Sequence, residues 1–124
     1  MDMLSNWLLV ACGGATGAVL RFYISETMPA SSFPWATLSI NLVGSLLLGV
    51  VASAALAQVL TESQALLLGV GFLGAFTTMS TFSVETITLI EQGEWRTASV
   101  YVVLSTLAGP LLAWVGWKGG HALF

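Results

Sequence analysis

The chain has 124 residues, of which 56% are hydrophobic and 7% charged, with a formal net charge of −3. A soluble domain carries roughly 25% charged residues because its surface faces water; three basic and six acidic side chains therefore exclude a soluble globular protein and place most of the chain in lipid. The same sparsity excludes a nucleic-acid-binding surface and a polybasic lipid-binding tail, and a single cysteine, Cys12, excludes an intramolecular disulfide.

A spanning helix needs about 20 apolar residues to cross roughly 30 Å of hydrocarbon, so the chain reads as one all-α transmembrane domain of four spans. The first runs over about 7–28. No positive segment precedes it, so it reads as a retained span rather than a cleaved signal. It carries a Gly13/Gly17 pair at GxxxG spacing, suited to close helix packing in lipid, and Cys12 within it reads as a small packing residue. Pro29 and the small polar run Ala30-Ser31-Ser32 end it, and Pro34 starts the second span, about 35–59. Thr61, Glu62 and Ser63 form the next turn, with Thr61 or Glu62 as candidate helix cap. The third span covers about 64–90 and ends at Glu91-Gln92-Gly93-Glu94, which contains a helix-ending glycine. The fourth covers about 96–119, with Pro110 expected to kink it. Trp7, Trp35, Trp95, Trp114 and Trp117 fall near span ends, as an interfacial aromatic belt does.

Orientation is weakly encoded. With four spans, Lys118 lies on one side and Arg96 on the other, joined by Arg21 if its side chain reaches the interface. So small a bias permits insertion in both directions and hence an antiparallel homodimer. Arg21 itself reads either as a snorkelling cation or as an electropositive vestibule that gathers an anion.

The third span carries the chemistry. Thr77, Thr78, Ser80, Thr81 and Ser83 fall within seven residues, too polar a stretch to face lipid. Hydroxyls bonded back to their own helix account for one or two of them; the rest must face a partner helix or an aqueous path. Gly69, Gly71 and Gly74 precede this run. Clustered glycines and hydroxyls predict a helix broken near its middle, tolerated at membrane depth only where it is buried or lines a cavity. A break frees carbonyls that can coordinate a bare cation. Asn41 in the second span, Glu85 after the hydroxyl run, and Tyr101 and Ser105 in the fourth span add polar groups that need partners within the membrane.

The segment Thr37-Leu38-Ser39-Ile40-Asn41-Leu42-Val43-Gly44, followed by the run from Gly71 to Glu85, resembles the CrcB/Fluc fluoride channel family, and the likeness covers the whole chain. The resemblance implies a passive fluoride channel that lowers cytoplasmic fluoride and confers fluoride resistance. It implies a dual-topology antiparallel homodimer with two pores in the cell (inner or plasma) membrane. It also implies a structural, untransported sodium ion at the dimer centre, held by the backbone carbonyls of Gly74 and Thr77 of both subunits. The implied fluoride path comprises Asn41, Ser80, Thr81, Phe82, Ser83, Glu85, Tyr101 and Ser105, with Arg21 at the vestibule. The sequence departs from the family at Met79, where a phenylalanine is usual; methionine fills similar volume but lacks a ring quadrupole, and Phe76, one turn away, is no automatic substitute. Fluoride is small and strongly hydrated, so a pore must replace its water with neutral donors that bind weakly enough to release it. The edge of the Phe82 ring adds a positive rim.

No nucleotide-binding or metal-catalytic motif is present, and the lone His121 reads as interfacial, so no enzymatic activity is expected. The competing reading is a small multidrug-resistance-type proton-coupled exporter, which depends on a glutamate in the first span. Here residues 7–24 contain no acid and Glu26 lies at the span's end. A non-conducting assembly subunit is a third class.

Overall fold

The structure, a computed structural model, describes residues 2–124. Four helical stretches are long and apolar enough to cross a membrane: Met3–Thr27 (α1), Trp35–Leu56 (α2), Glu62–Glu91, and Trp95–Leu123. The third is interrupted. It starts as α-helix over Glu62–Ala65, widens to π-helix over Leu66–Leu73, and returns to α geometry for Gly74–Phe76. Thr77 and Thr78 are extended, at φ −79°, ψ 156° and φ −150°, ψ 115°, and the helix restarts as Met79–Glu91. Residues 62–76 are labelled α3, Met79–Glu91 α4 and Trp95–Leu123 α5. The protein is thus an all-helical, multi-pass membrane protein.

The helix ends differ from the sequence reading by a few residues, for local reasons. Asp2 accepts the Ser5 N–H at 2.9 Å, so α1 begins at Met3. Thr61 and Gln64 form a reciprocal capping box that starts α3 at Glu62. Gly119 and Gly120 do not stop α5, which runs to Leu123 as a single helix through Pro110.

The ends of α2 and α4 share one geometry. After α2, the Val59 N–H reaches the Ala54 carbonyl and the Gln58 N–H reaches that of Ala55; after α4, Glu94 and Gly93 make the equivalent bonds to Leu89 and Ile90. Both are Schellman turns, which need a left-handed residue just past the helix. Gly93 supplies it at φ 79°, but α2 uses Gln58 at φ 57°. A side chain in that conformation costs about 1 kcal/mol. Gln58→Gly is therefore expected to raise the thermal denaturation midpoint of the detergent-extracted protein, and Gly93→Ala to lower it.

Two helix pairs build the bundle, and small residues set both. A Cβ on Gly13 would strike the Leu67 carbonyl oxygen, and one on Gly17 the Phe72 carbonyl oxygen, so α1 lies backbone-to-backbone on the π segment of α3. Gly49 of α2 meets Ala113 of α5, Gly116 meets Leu46, and Gly120 meets Ser53. Contacts advance together along each pair, so α1 runs parallel to α3 and α2 parallel to α5. Cys12 is exposed and does not take the packing role that the sequence reading gave it; the Gly13/Gly17 pair makes the close contact, as that reading expected.

Two apolar clusters flank the break in the third span. Ile40, Leu73 and Phe76 are buried on its α3 side; Leu38, Leu89, Ala98 and Tyr101 are buried on its α4 side. Phe76 stacks on Phe72 with ring centroids 6.0 Å apart, so it belongs to the core and is not available to replace a ring at Met79.

Candidate functional site

The break opens because the backbone donors that would close it are engaged elsewhere. In a continuous helix each N–H bonds the carbonyl four residues back. The Thr78 N–H, which would serve the Gly74 carbonyl, instead donates to Asn41 Oδ1 at 2.8 Å. The Thr81 N–H, which would serve the Thr77 carbonyl, donates to Thr78 Oγ1 at 3.2 Å, the capping bond that starts α4. Asn41 Nδ2 donates to the Thr78 carbonyl at 3.0 Å. Arg21, from α1, donates through Nε to the Ala75 carbonyl at 3.1 Å. Arg21 is therefore a partly buried helix-end cap, a role its sequence position did not indicate.

The hydroxyl run divides in two. Thr77 Oγ1 donates to the Leu73 carbonyl and Ser83 Oγ to that of Met79, as helical hydroxyls do. The Thr78 hydroxyl lies 3.0 Å from Thr81 Oγ1 and 3.3 Å from Ser80 Oγ. These three cluster at the start of α4, where first-turn amides leave a partial positive charge.

Beside the break is an open cavity of about 560 Å³ between α2, α4 and α5. Asn41, Thr77, Thr78, Met79, Phe82 and Ser105 line it. The Ser105 hydroxyl is buried without a hydrogen-bond partner, and Met79 stands 72% exposed at the cavity edge. Of the residues singled out from sequence, the cavity gathers Asn41, Thr77, Thr78, Met79, Phe82 and Ser105. Ser80, Thr81 and Ser83 are not among its lining, and Ser80 and Ser83 are exposed.

Past Phe82 lies a second polar group. The Phe82 ring meets Tyr101 edge-on, centroids 5.0 Å apart at 65°. The buried Tyr101 hydroxyl donates to Glu85 Oε2 at 2.7 Å, and Thr37 Oγ1 donates to Glu85 Oε1 at 2.8 Å. Two hydroxyls thus offset the cost of a carboxylate within a span. Thr37 was missed from sequence as a site residue. Its signal was its place one turn before Asn41 on α2, which puts both on the face turned to α4.

A four-span bundle with a broken helix beside a largely apolar cavity that carries a few polar groups suits a small membrane transport protein. The chain belongs to the family described as CrcB-like protein, Camphor Resistance (CrcB), which it matches over residues 8–117. It is 42% identical over 121 residues to the Fluoride-specific ion channel FluC 2 of Moorella thermoacetica, covering 95% of this chain and 98% of that protein. It is 42% identical over 112 residues to the Fluoride-specific ion channel FluC of Pseudoalteromonas translucida (87% and 93% covered) and 47% identical over 106 residues to that of Shewanella baltica (82% and 85%).

Proposed function

We propose that this protein is a passive fluoride-selective channel of the cell membrane that lowers cytoplasmic fluoride and so confers fluoride resistance. The observation that carries the reading is the row of uncharged donors beside the break: Asn41 and Ser105 at the cavity, the Phe82 ring edge, then the hydroxyls of Tyr101 and Thr37. Relatives that align over 82–95% of the chain and are named fluoride-specific channels support it. The path also takes Ser80, Thr81, Ser83 and Glu85, with Arg21 at the vestibule. Ser105 has no partner to give up, and Asn41 keeps one N–H beyond the one on Thr78. Farther on, an anion gains the Tyr101 and Thr37 hydroxyls only by displacing the Glu85 carboxylate, so binding there is weak and release is easy, as conduction requires. Hydrogen fluoride enters cells neutral and dissociates. The membrane potential then drives the anion out at about 2.3 kcal/mol per charge per 100 mV, with no pump needed.

The working unit in this reading is an antiparallel, dual-topology homodimer. The cavity is open on one side, Gly74 is exposed, and the basic residues are nearly balanced between the two ends. The Gly74 and Thr77 carbonyls fit a sodium ion at the dimer centre, because their helical donors are engaged elsewhere and carbonyl oxygens are hard ligands. Two from each subunit make four. The ion would supply a fixed positive charge that holds the breaks of both subunits together.

Fluoride efflux from liposomes holding the purified protein tests this reading. Efflux without a pH gradient is expected. Proton-coupled loss of an organic cation would instead mark an exporter, and no flux at all a non-conducting subunit. In the same assay Met79→Phe is expected to raise fluoride efflux about threefold with selectivity over chloride retained, because it adds a second positive ring edge at the cavity; a threefold change is about 0.65 kcal/mol in the barrier. Equal rates would mean that position 79 contributes nothing electrostatic.

A further inference from the structure

We propose that Asn41 is a positioning residue: by taking the Thr78 N–H it keeps the Gly74 carbonyl free, and it thereby sets how tightly the break holds a small hard cation. The proposal rests on the channel reading above but concerns the helix break, not the anion path.

Five donors lie around the break, and four of them leave Gly74 alone. Arg21 Nε takes Ala75, the Thr77 N–H and hydroxyl both take Leu73, and the Thr81 N–H is satisfied by Thr78 Oγ1. Only the Thr78 N–H is in register to close a helical bond onto Gly74. Asn41 intercepts it at 2.8 Å and secures the same residue a second time, through Nδ2 on the Thr78 carbonyl at 3.0 Å. Holding the N–H and the C=O of one extended residue at once is how a neighbouring β-strand grips its partner. The amide has only one orientation that makes both bonds. The grip is rooted. Ile40, beside Asn41, is buried, and a Cβ on Gly44, one turn on, would strike the Thr77 methyl, so α2 cannot draw back from the break without leaving a void.

Removing the amide leaves the Thr78 N–H without an acceptor at membrane depth, where an unpaired donor is costly. Its nearest remedy is the Gly74 carbonyl four residues back. That bond would extend α3 through the break and consume an oxygen that a cation would use. One donor and one acceptor of the Asn41 side chain, half of its hydrogen-bonding capacity, are thus committed to backbone geometry, and a single N–H remains for an anion.

The test uses the full-length protein in detergent and reads thermal stability, because a ligand that binds the folded state raises the melting midpoint in proportion to its affinity. Sodium chloride is titrated against N-methylglucamine chloride at constant ionic strength. The wild type is expected to melt higher with sodium. Asn41→Ala is expected to need at least tenfold more sodium for half of that effect. Asn41→Asp keeps an acceptor for the Thr78 N–H; it is expected to respond to sodium within threefold of wild type, or more tightly, while losing at least tenfold in fluoride efflux. If Asn41 served only as an anion donor, both variants would keep the wild-type sodium response, and that result overturns the proposal. A wild type that conducts fluoride but shows no sodium-dependent stabilisation also overturns it and leaves the channel reading standing. If Asn41→Ala does not fold, the near-isosteric Asn41→Leu, which also offers the Thr78 N–H no acceptor, takes its place; a sodium response within threefold of wild type in that variant overturns the proposal, as does a tenfold or greater loss of the response in Asn41→Asp.

Discussion

Gly17→Ala is expected to destabilise the bundle by about 3 kcal/mol and to leave little monodisperse protein after extraction. The added methyl group would overlap the Phe72 carbonyl oxygen and its carbon. Neither can move independently, because both belong to the backbone of the π segment of α3. To make room, α1 would have to lift off α3, breaking the contact at Gly13 and drawing Arg21 away from the Ala75 carbonyl that it caps. In lipid no hydrophobic force restores the pair, since acyl chains are as apolar as the helix surfaces that separate. Gly14 is the control on the same helix. A Cβ there would lie 3.8 Å from the Gly71 carbonyl oxygen and 3.9 Å from the Ala75 side chain, ordinary contact distances. Gly14→Ala should be tolerated, and with the better helix propensity of alanine it should be neutral to stabilising by up to about 1 kcal/mol. Size-exclusion profiles and melting midpoints of the two variants measure the contrast; equal behaviour would mean that α1 does not sit on α3 at this distance.

Phe82→Ile is expected to lower fluoride efflux by at least tenfold while leaving the protein folded. Phe82 is half-buried, lines the cavity, and turns its ring toward Tyr101 in an edge arrangement. It stands between the Asn41/Ser105 end and the Thr37/Glu85/Tyr101 end of the donor row. Isoleucine fills much of the same volume but offers no positive ring edge, so an anion passing the midpoint would lose its water and receive nothing in return. A loss of about 1.4 kcal/mol in the transition state is a factor of ten in rate, within reach of one aromatic contact in a site that excludes water. Folding should survive because the cluster around Phe82 is built on Leu38, Leu89, Ala98 and Tyr101, which remain. Near-native efflux from liposomes containing Phe82→Ile would remove this residue from the path.

The sequence by itself determined the membrane class, the four spans and the presence of a break. Those follow from composition and local chemistry: too few charges for water, apolar stretches of bilayer length, and glycines followed by hydroxyls where a regular helix would expose polar groups to lipid. It also marked Asn41, Glu85, Tyr101 and Ser105 as polar residues needing a reason to be there, Phe82 through the family resemblance, and the Gly13/Gly17 pair as a packing face. Only the tertiary structure decided which group satisfies which. That Asn41 grips Thr78, that Arg21 caps Ala75, and that Thr37 and Tyr101 share the Glu85 carboxylate are pairings across helices, separated in the chain by 37, 54, 48 and 16 residues. The π segment of α3 was likewise out of reach, because its register depends on how closely α1 approaches through Gly13 and Gly17. Local sequence states that a polar group in lipid must find a partner; which partner it finds depends on how the helices pack, and packing in a bilayer is set by contacts between residues distant in the chain.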